Sequence, residues 1–324
     1  MIVGNWAFFL NLTSAAVTAF ICVVVLISFF HTSLCKKLAV FQLTTRKYIL
    51  WLTISSPWWI SLLSTLVFFL AQQNPMSNWW QGVAHWHHLE VFSVYSWHSV
   101  LLITTVCLMV SASVHTFFSL NRHRTAMSSL FALSNTQPHR DYPNQSVYVI
   151  EHHLPEAFTV GFFNPKVYIT SGLEALDEKT VQIVVQHELA HLKARDPLFK
   201  TLFSLFSWCF PSPTRAALQQ SYTALTEQIA DVGATQYFDG LDVAQALINV
   251  ARFQRQQRIT NDNIFTSHFS NEQITQRIQT LLTPIPTTPK PLLIVTLFSF
   301  MAIALFTLST VDSVHHLIET FFIH

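Results

Sequence analysis

Apolar residues run almost unbroken through four stretches of the chain, about residues 6 to 30, 48 to 71, 98 to 120 and 291 to 312. Each approaches the roughly 20 residues that a helix needs to cross the hydrocarbon of a bilayer, so the pattern predicts four transmembrane helices. The third run is the most polar, with His98, Thr104, Thr105, Ser111 and His115, and is expected to face its neighbours rather than lipid. Ser56-Pro57 should kink the second. Between the third and fourth runs the pattern changes. Ser146-Val-Tyr-Val-Ile150 reads as a short strand, and Ala157-Phe-Thr-Val-Gly-Phe-Phe163 and Lys166-Val-Tyr-Ile-Thr170 flank Asn164-Pro165 like two strands around a turn. A helical segment then starts at Asp177, a fitting N-cap followed by Glu178, and ends on Lys193 and Arg195 before Asp196-Pro197, where proline makes continuation costly. Residues 197 to 210 are apolar and aromatic but too short to span, and are expected to dip into the membrane interface. Helices are predicted over about 214 to 237 and 242 to 258, and Ser270-Asn-Glu-Gln273 reads as a capping box before a helix over 274 to 282.

Charge orients this plan. Of 324 residues, 51% are hydrophobic and only 11% charged, too apolar for an ordinary soluble protein. Lys36, Lys37, Arg46 and Lys47 lie between the first two runs, Arg122 and Arg124 follow the third, and Lys290 precedes the fourth. The start, the loop over 72 to 97 and the tail after 312 hold no Lys or Arg, so the positive-inside rule puts the N-terminus outside and the segment between the third and fourth runs in the cytoplasm. The first run lacks a basic n-region and reads as an anchor rather than a cleaved signal. The fold class is therefore a mainly α integral membrane protein whose cytoplasmic α+β domain is inserted between the third and fourth transmembrane helices. Its parts are a membrane domain over residues 1–120, the soluble domain over 121–290, a last span over 291–312 and a short outer tail over 313–324.

A net charge of +1 offers no basic stripe for nucleic acid, and membrane lipid is the partner that composition demands. Cys22, Cys35, Cys107 and Cys209 show no metal-ligand spacing and are read as reduced and structural. The outer loop carries His85, His87 and His88, with His98 at its edge, and the tail His315, His316 and His324. With 16 histidines in the chain and no ligand spacing here, these read as interfacial polar residues rather than a sensor.

The chemistry concentrates at His187-Glu188-Leu189-Ala190-His191. On a helix, residues four apart share a face, so His187 and His191 are placed to ligate one Zn2+ with Glu188 beside them. In a zinc peptidase such a glutamate is the general base for the attacking water; the bland alternative is a helix with two surface histidines. Glu227, in Thr226-Glu-Gln-Ile-Ala-Asp231, is the natural third ligand, completing a His2Glu set with one position left for water. Asp231, one turn on, is placed to take the free N–H of a ligating histidine and fix its tautomer; as bare acids both would instead be solvated surface. A strand just ahead of such a helix can hold an extended substrate by adding its backbone to the sheet. Tyr222, Tyr237 and His268 are candidates for oxyanion stabiliser by residue type only.

Taken together, three spans, the hairpin over 157–173, His187-Glu-Leu-Ala-His-Leu-Lys-Ala-Arg-Asp196, Glu227-x-x-Ala-Asp231 and a last span resemble the BlaR1/MecR1-type membrane metallopeptidases, the M56 family. The resemblance implies a gluzincin-type zinc endopeptidase with His187, His191 and Glu227 as ligands and Glu188 as base. It also implies a bacterial cytoplasmic membrane and a cytoplasmic substrate, commonly a transcriptional repressor or the peptidase itself; a homo-oligomer is left open by the sequence. The penicillin-binding sensor of antibiotic-sensing members is not expected, since about a dozen residues follow Val311. The leading expectation is thus a regulated protease in signal transduction. Two alternatives stand beside it: a quality-control protease of the HtpX/Oma1 sort, and a non-catalytic sensor braced by zinc, against which an intact Glu188 argues.

Overall fold

The structure is a computed structural model, describing residues 1–73, 91–133, 136–139, 142, 146–153, 155–258, 265–283 and 290–322. Among the described residues four helices are long and apolar enough to cross a membrane: α1 (Asn5–Leu38), α2 (Leu43–Gln73), α3 (Trp97–Leu133) and α9 (Lys290–Phe322). α1 and α2 outrun their apolar cores because nothing in the polar, basic segment expected as a link over 31–47 breaks a helix; only residues 39–42 connect them. Inside α2, Pro57 has no N–H for the Thr53 carbonyl, and Ser56 Oγ donates to that oxygen instead at 2.8 Å.

The third helix corrects an expectation. The apolar window of α3 is wholly unburied by the rest of the protein. Within it Thr105, Ser111 and Ser113 donate to the Leu101, Leu108 and Met109 carbonyls of their own helix, whereas His98 in the first turn is buried, stacked on Trp97 and close to Phe92, as expected. The short strands β1 (Ile2–Val3) and β2 (Val91–Phe92) pair antiparallel at the ends of α1 and α3. The outer-loop residues His85, His87 and His88 lie outside the described residues, as does His324 and the side chains of His315 and His316.

Between α3 and α9 lies a small sheet of β3 (Thr136–Pro138), β4 (Val147–Ile150), β5 (Ala157–Val160) and β6 (Lys166–Thr170), in the order β3-β4-β6-β5. β4 and β6 run parallel in the centre, and β5 is an edge strand antiparallel to β6, with Thr159 opposite Val167. β5 stops at Gly161, whose φ of 114° belongs to glycine and where a Cβ would fall 2.7 Å from the Asn164 carbonyl oxygen. A 3₁₀ turn, Ser171–Ala175, leads to α4 (Glu178–Ala194), whose cap is made by Asp177 accepting from the Thr180 N–H at 3.0 Å. The inner face of the sheet buries Val147, Val167 and Ile169 against Val185 of α4 and Leu173.

Four helices follow: α5 (Asp196–Ser207), α6 (Ser212–Ala234), α7 (Gly240–Arg258) and α8 (Phe265–Leu282). α8 runs straight through Ser270-Asn-Glu-Gln273, so the box expected to start it is interior; serine and asparagine each cost a helix roughly half a kcal/mol, too little to stop one. α5 does not simply dip toward lipid. Phe203 and Phe210 are buried, and Trp51 of α2 sits edge-on among Phe199, Phe203, Phe206 and Tyr222. A single core joins these rings with Val23, Ile27, Leu50 and Ile54 of α1 and α2 and Phe300 of α9. The aromatic excess of 197–210 is thus absorbed by a membrane helix.

Candidate metal centre and peptidase site

Two helices make the site by crossing closely. Gly233 of α6 faces Ala190 of α4, and a Cβ on it would come within 2.9 Å of the alanine's. That approach brings Glu227 and Asp231, one turn apart on α6, against His187 and His191, one turn apart on α4. The two Nε2 atoms are 3.1 Å apart; Glu227 Oε2 is 3.4 Å from that of His187, and Oε1 is 3.5 Å from that of His191.

The far side of each imidazole is held by a buried carboxylate. His187 Nδ1 donates to Asp231 Oδ1 at 2.9 Å, and His191 Nδ1 to Asp196 Oδ2 at 2.7 Å. Asp231 and Asp196 are 1% and 2% exposed. With Nδ1–H committed in both rings, both Nε2 lone pairs are free to converge with Glu227, the donor set that fits a divalent zinc ion. His187, Glu188 and His191 offer ligand atoms within 4.8 Å of one another. Asp196 is a residue that spacing alone does not reveal. α4 ends at Ala194, and Arg195 takes a left-handed φ of 52°, which turns the chain so that Asp196, first residue of α5, lies back beside His191.

Glu188 is 8% exposed and lies beside the pair, with Thr159 Oγ1 of the edge strand donating to its Oε2 at 2.8 Å and to its backbone oxygen at 3.1 Å. Arg277 of α8 clasps Asp231 with bonds of 2.7 and 2.6 Å and reaches to 3.7 Å from Glu227 Oε2, while Lys200 of α5 donates to Glu227 Oε1 at 3.1 Å. Thr159, Lys200 and Arg277 are missed by sequence reasoning, because no motif spacing links them to the helix. Of the oxyanion candidates, Tyr222 is buried, stacked on Phe203 and bonded by Trp51 Nε1, and Tyr237 is 66% exposed; the side chain of His268 lies outside the described ones. Arg277 and Lys200 are the cations that flank the site.

Without metal these charges hold one another. Burial would lower the His187 pKa, but hydrogen bonds to Asp231 and Glu227 outweigh it and raise the ring to about 9. His191 is raised in the same way, against its burial, by Asp196 and Glu227. Burial would raise Glu227, yet the two imidazoles hold its carboxyl well below the usual range.

A cleft of about 220 Å³ opens on Ala157, His187, Glu188, Glu227 and Arg277. It shares Glu227, Ile274 and Arg277 with a neighbouring cavity of about 180 Å³. That one shares Ala224, Gln228 and Gln276 with a larger cavity of about 680 Å³. The last is bounded by Cys35, Ala39 and Arg46, where α1 turns into α2. The three cavities thus lie in a row, each sharing lining residues with the next, between the His187-His191-Glu227 cluster and the end of the membrane helices.

Residues 121–303, more than half of the chain, match the family described as Peptidase family M48. The chain belongs to peptidase family M48. This makes it a zinc metalloprotease, and with four membrane-length helices, a multi-pass membrane protein. No solved structure matches the M48 chain. The assignment overturns the expected M56 family of BlaR1/MecR1 type. The motifs that carried that resemblance fit the HtpX/Oma1-type alternative as well, so they do not separate the two families.

Proposed function

We propose that this M48 peptidase is a gluzincin-type membrane endopeptidase of the HtpX/Oma1 sort, cutting polypeptide segments presented at the membrane surface. His187, His191 and Glu227 would hold one catalytic zinc, which supplies Lewis acidity for the attack of water. Glu188, fixed by Thr159, takes the proton of that water and passes it to the leaving amine. Asp231 and Asp196 hold the histidine rings in their ligating tautomer. An extended substrate would add to the outer edge of β5, beside Glu188. The observation that carries the reading is the His187-His191-Glu227 convergence beside a cleft whose neighbouring cavities lie toward the α1–α2 turn. A site placed that close to the membrane helices suits a chain emerging from the bilayer better than a soluble regulator, and the basic residues at that turn favour the cytoplasmic side.

The test is Glu188→Gln in purified protein, which keeps all three ligands. Peptide hydrolysis should fall by about 10²–10⁴, the usual contribution of a general base, at unchanged zinc content. Equal activity in the two proteins would sink the reading. In cells, comparing new N-termini between the two should show many membrane-protein products vanishing, where a signalling protease would lose one or a few.

A further inference from the structure

Asp196 uses one oxygen to hold His191 and the other to meet a lysine from the membrane domain. Lys47, in the first turns of α2, places Nζ 3.2 Å from Asp196 Oδ1, and Asp196 Oδ2 accepts from His191 Nδ1 at 2.7 Å. The carboxylate side chain is 3% exposed and the lysine 23%, so the pair is largely withdrawn from water. The lysine is itself fixed. Its ammonium lies 6.0 Å and 5.9 Å from the ring centres of Phe199 and Tyr222, and Trp51, one turn further along α2, packs against both rings and donates to the Tyr222 hydroxyl at 3.3 Å. α2 thus touches α5 at the residue that orients a metal ligand.

We propose that Lys47 is a positioning residue of the metal site: it fixes Asp196, and through it the His191 ring, so that the seating of membrane helix α2 against α5 sets the metal centre. The inference rests on the zinc reading above. A buried carboxylate with two partners in fixed directions has one orientation; with Lys47 removed, Oδ1 loses its cation and the carboxylate is free to turn toward water or another donor. The imidazole then loses its fixed hydrogen bond, and groups that orient metal-bound imidazoles in this way carry about 10–100-fold in metal affinity. Because the lysine acts one bond further out, the lower end of that range is expected.

The experiment uses the full-length protein in lipid nanodiscs. Zinc affinity is measured by chelator competition, and the visible ligand-field bands are recorded after Co2+ substitution, for wild type, Lys47→Met and Lys47→Arg. The methionine variant should bind zinc about tenfold more weakly, following the range for such orienting groups, with shifted cobalt bands, and arginine should restore both. Wild-type affinity and bands in Lys47→Met would overturn the proposal. Since removing one partner of a buried pair can unfold a protein, the same comparison is made in an Asp196→Asn background, where the double variant with Lys47→Met removes both charges of the pair. There, Lys47→Met should change nothing, and a further loss of affinity would show that the lysine acts by another route. A wild type that binds no zinc would instead sink the peptidase reading itself.

Discussion

At the scale of the residue, Glu188 depends on a hydroxyl that belongs to the sheet. Thr159→Val removes that donor while keeping the shape, and is expected to lower kcat by roughly tenfold, the worth of one such bond, with zinc content unchanged on elemental analysis. The histidines give a pH signature. In the metal-free protein His187 titrates at about 9 against an unfolded value near 6.5. Its folded value is raised, so the stabilisation from its carboxylate partners is complete below pH about 6.5 and is lost as pH rises through about 9. Melting of chelated protein followed from pH 6 to 10 should show that fall. Zinc needs the neutral ring, so uptake at pH 7 should release protons to an indicator dye, with affinity climbing up to pH about 9. The residues that gather at the candidate site were legible as a cluster, since His187 and His191 are spaced by a helical turn and Glu227 and Asp231 repeat that spacing on a second helix. Of the groups that steady them, only Asp231 was. Asp196 reaches His191 through a left-handed arginine, where sequence gives no glycine to mark the turn, and Arg277 comes 46 residues after Asp231, a distance that only folding closes.

At the scale of the element, the contact of α4 with α6 decides whether two histidines and a glutamate become one site. Gly233→Val would force the helices apart at Ala190, because the close crossing there leaves no room for a Cβ. Overpacking of this kind costs about 1–3 kcal/mol, and here it should also weaken zinc binding, since Glu227 and Asp231 sit on the same helix. A thermal melt and a chelator titration on the same sample read both effects. α4 itself could be read from its Asp177 cap and its period. The start of α8 could not, since a capping-box sequence is equally comfortable inside a helix.

At the scale of the molecule, the apolar pattern showed that four helices leave water and did not show what each one meets. It overstated the neighbours of α3 beyond its first turn and missed that α5 and α6 share a core with α1, α2 and α9. A consequence is that residues 121–290 expressed alone would expose Phe203, Tyr222 and Leu225, and should elute as aggregate in size-exclusion chromatography. Trp51→Ala, a change within a membrane helix, should destabilise the whole protein by about 3–5 kcal/mol and lower peptidase activity in parallel, as a melt monitored at the peptidase end would show.

The edge strand β5 is only four residues long before Gly161 turns it away, and no strand pairs with its outer side among the described residues. A ladder that short forms few backbone bonds with an incoming chain, each worth about 1 kcal/mol net. Such a grip is weak and largely indifferent to side chains. Cleaved ends should therefore leave quickly, the enzyme should be processive only where something else tethers its substrate, and peptide inhibitors that copy a single cleavage sequence should bind poorly however well they match it.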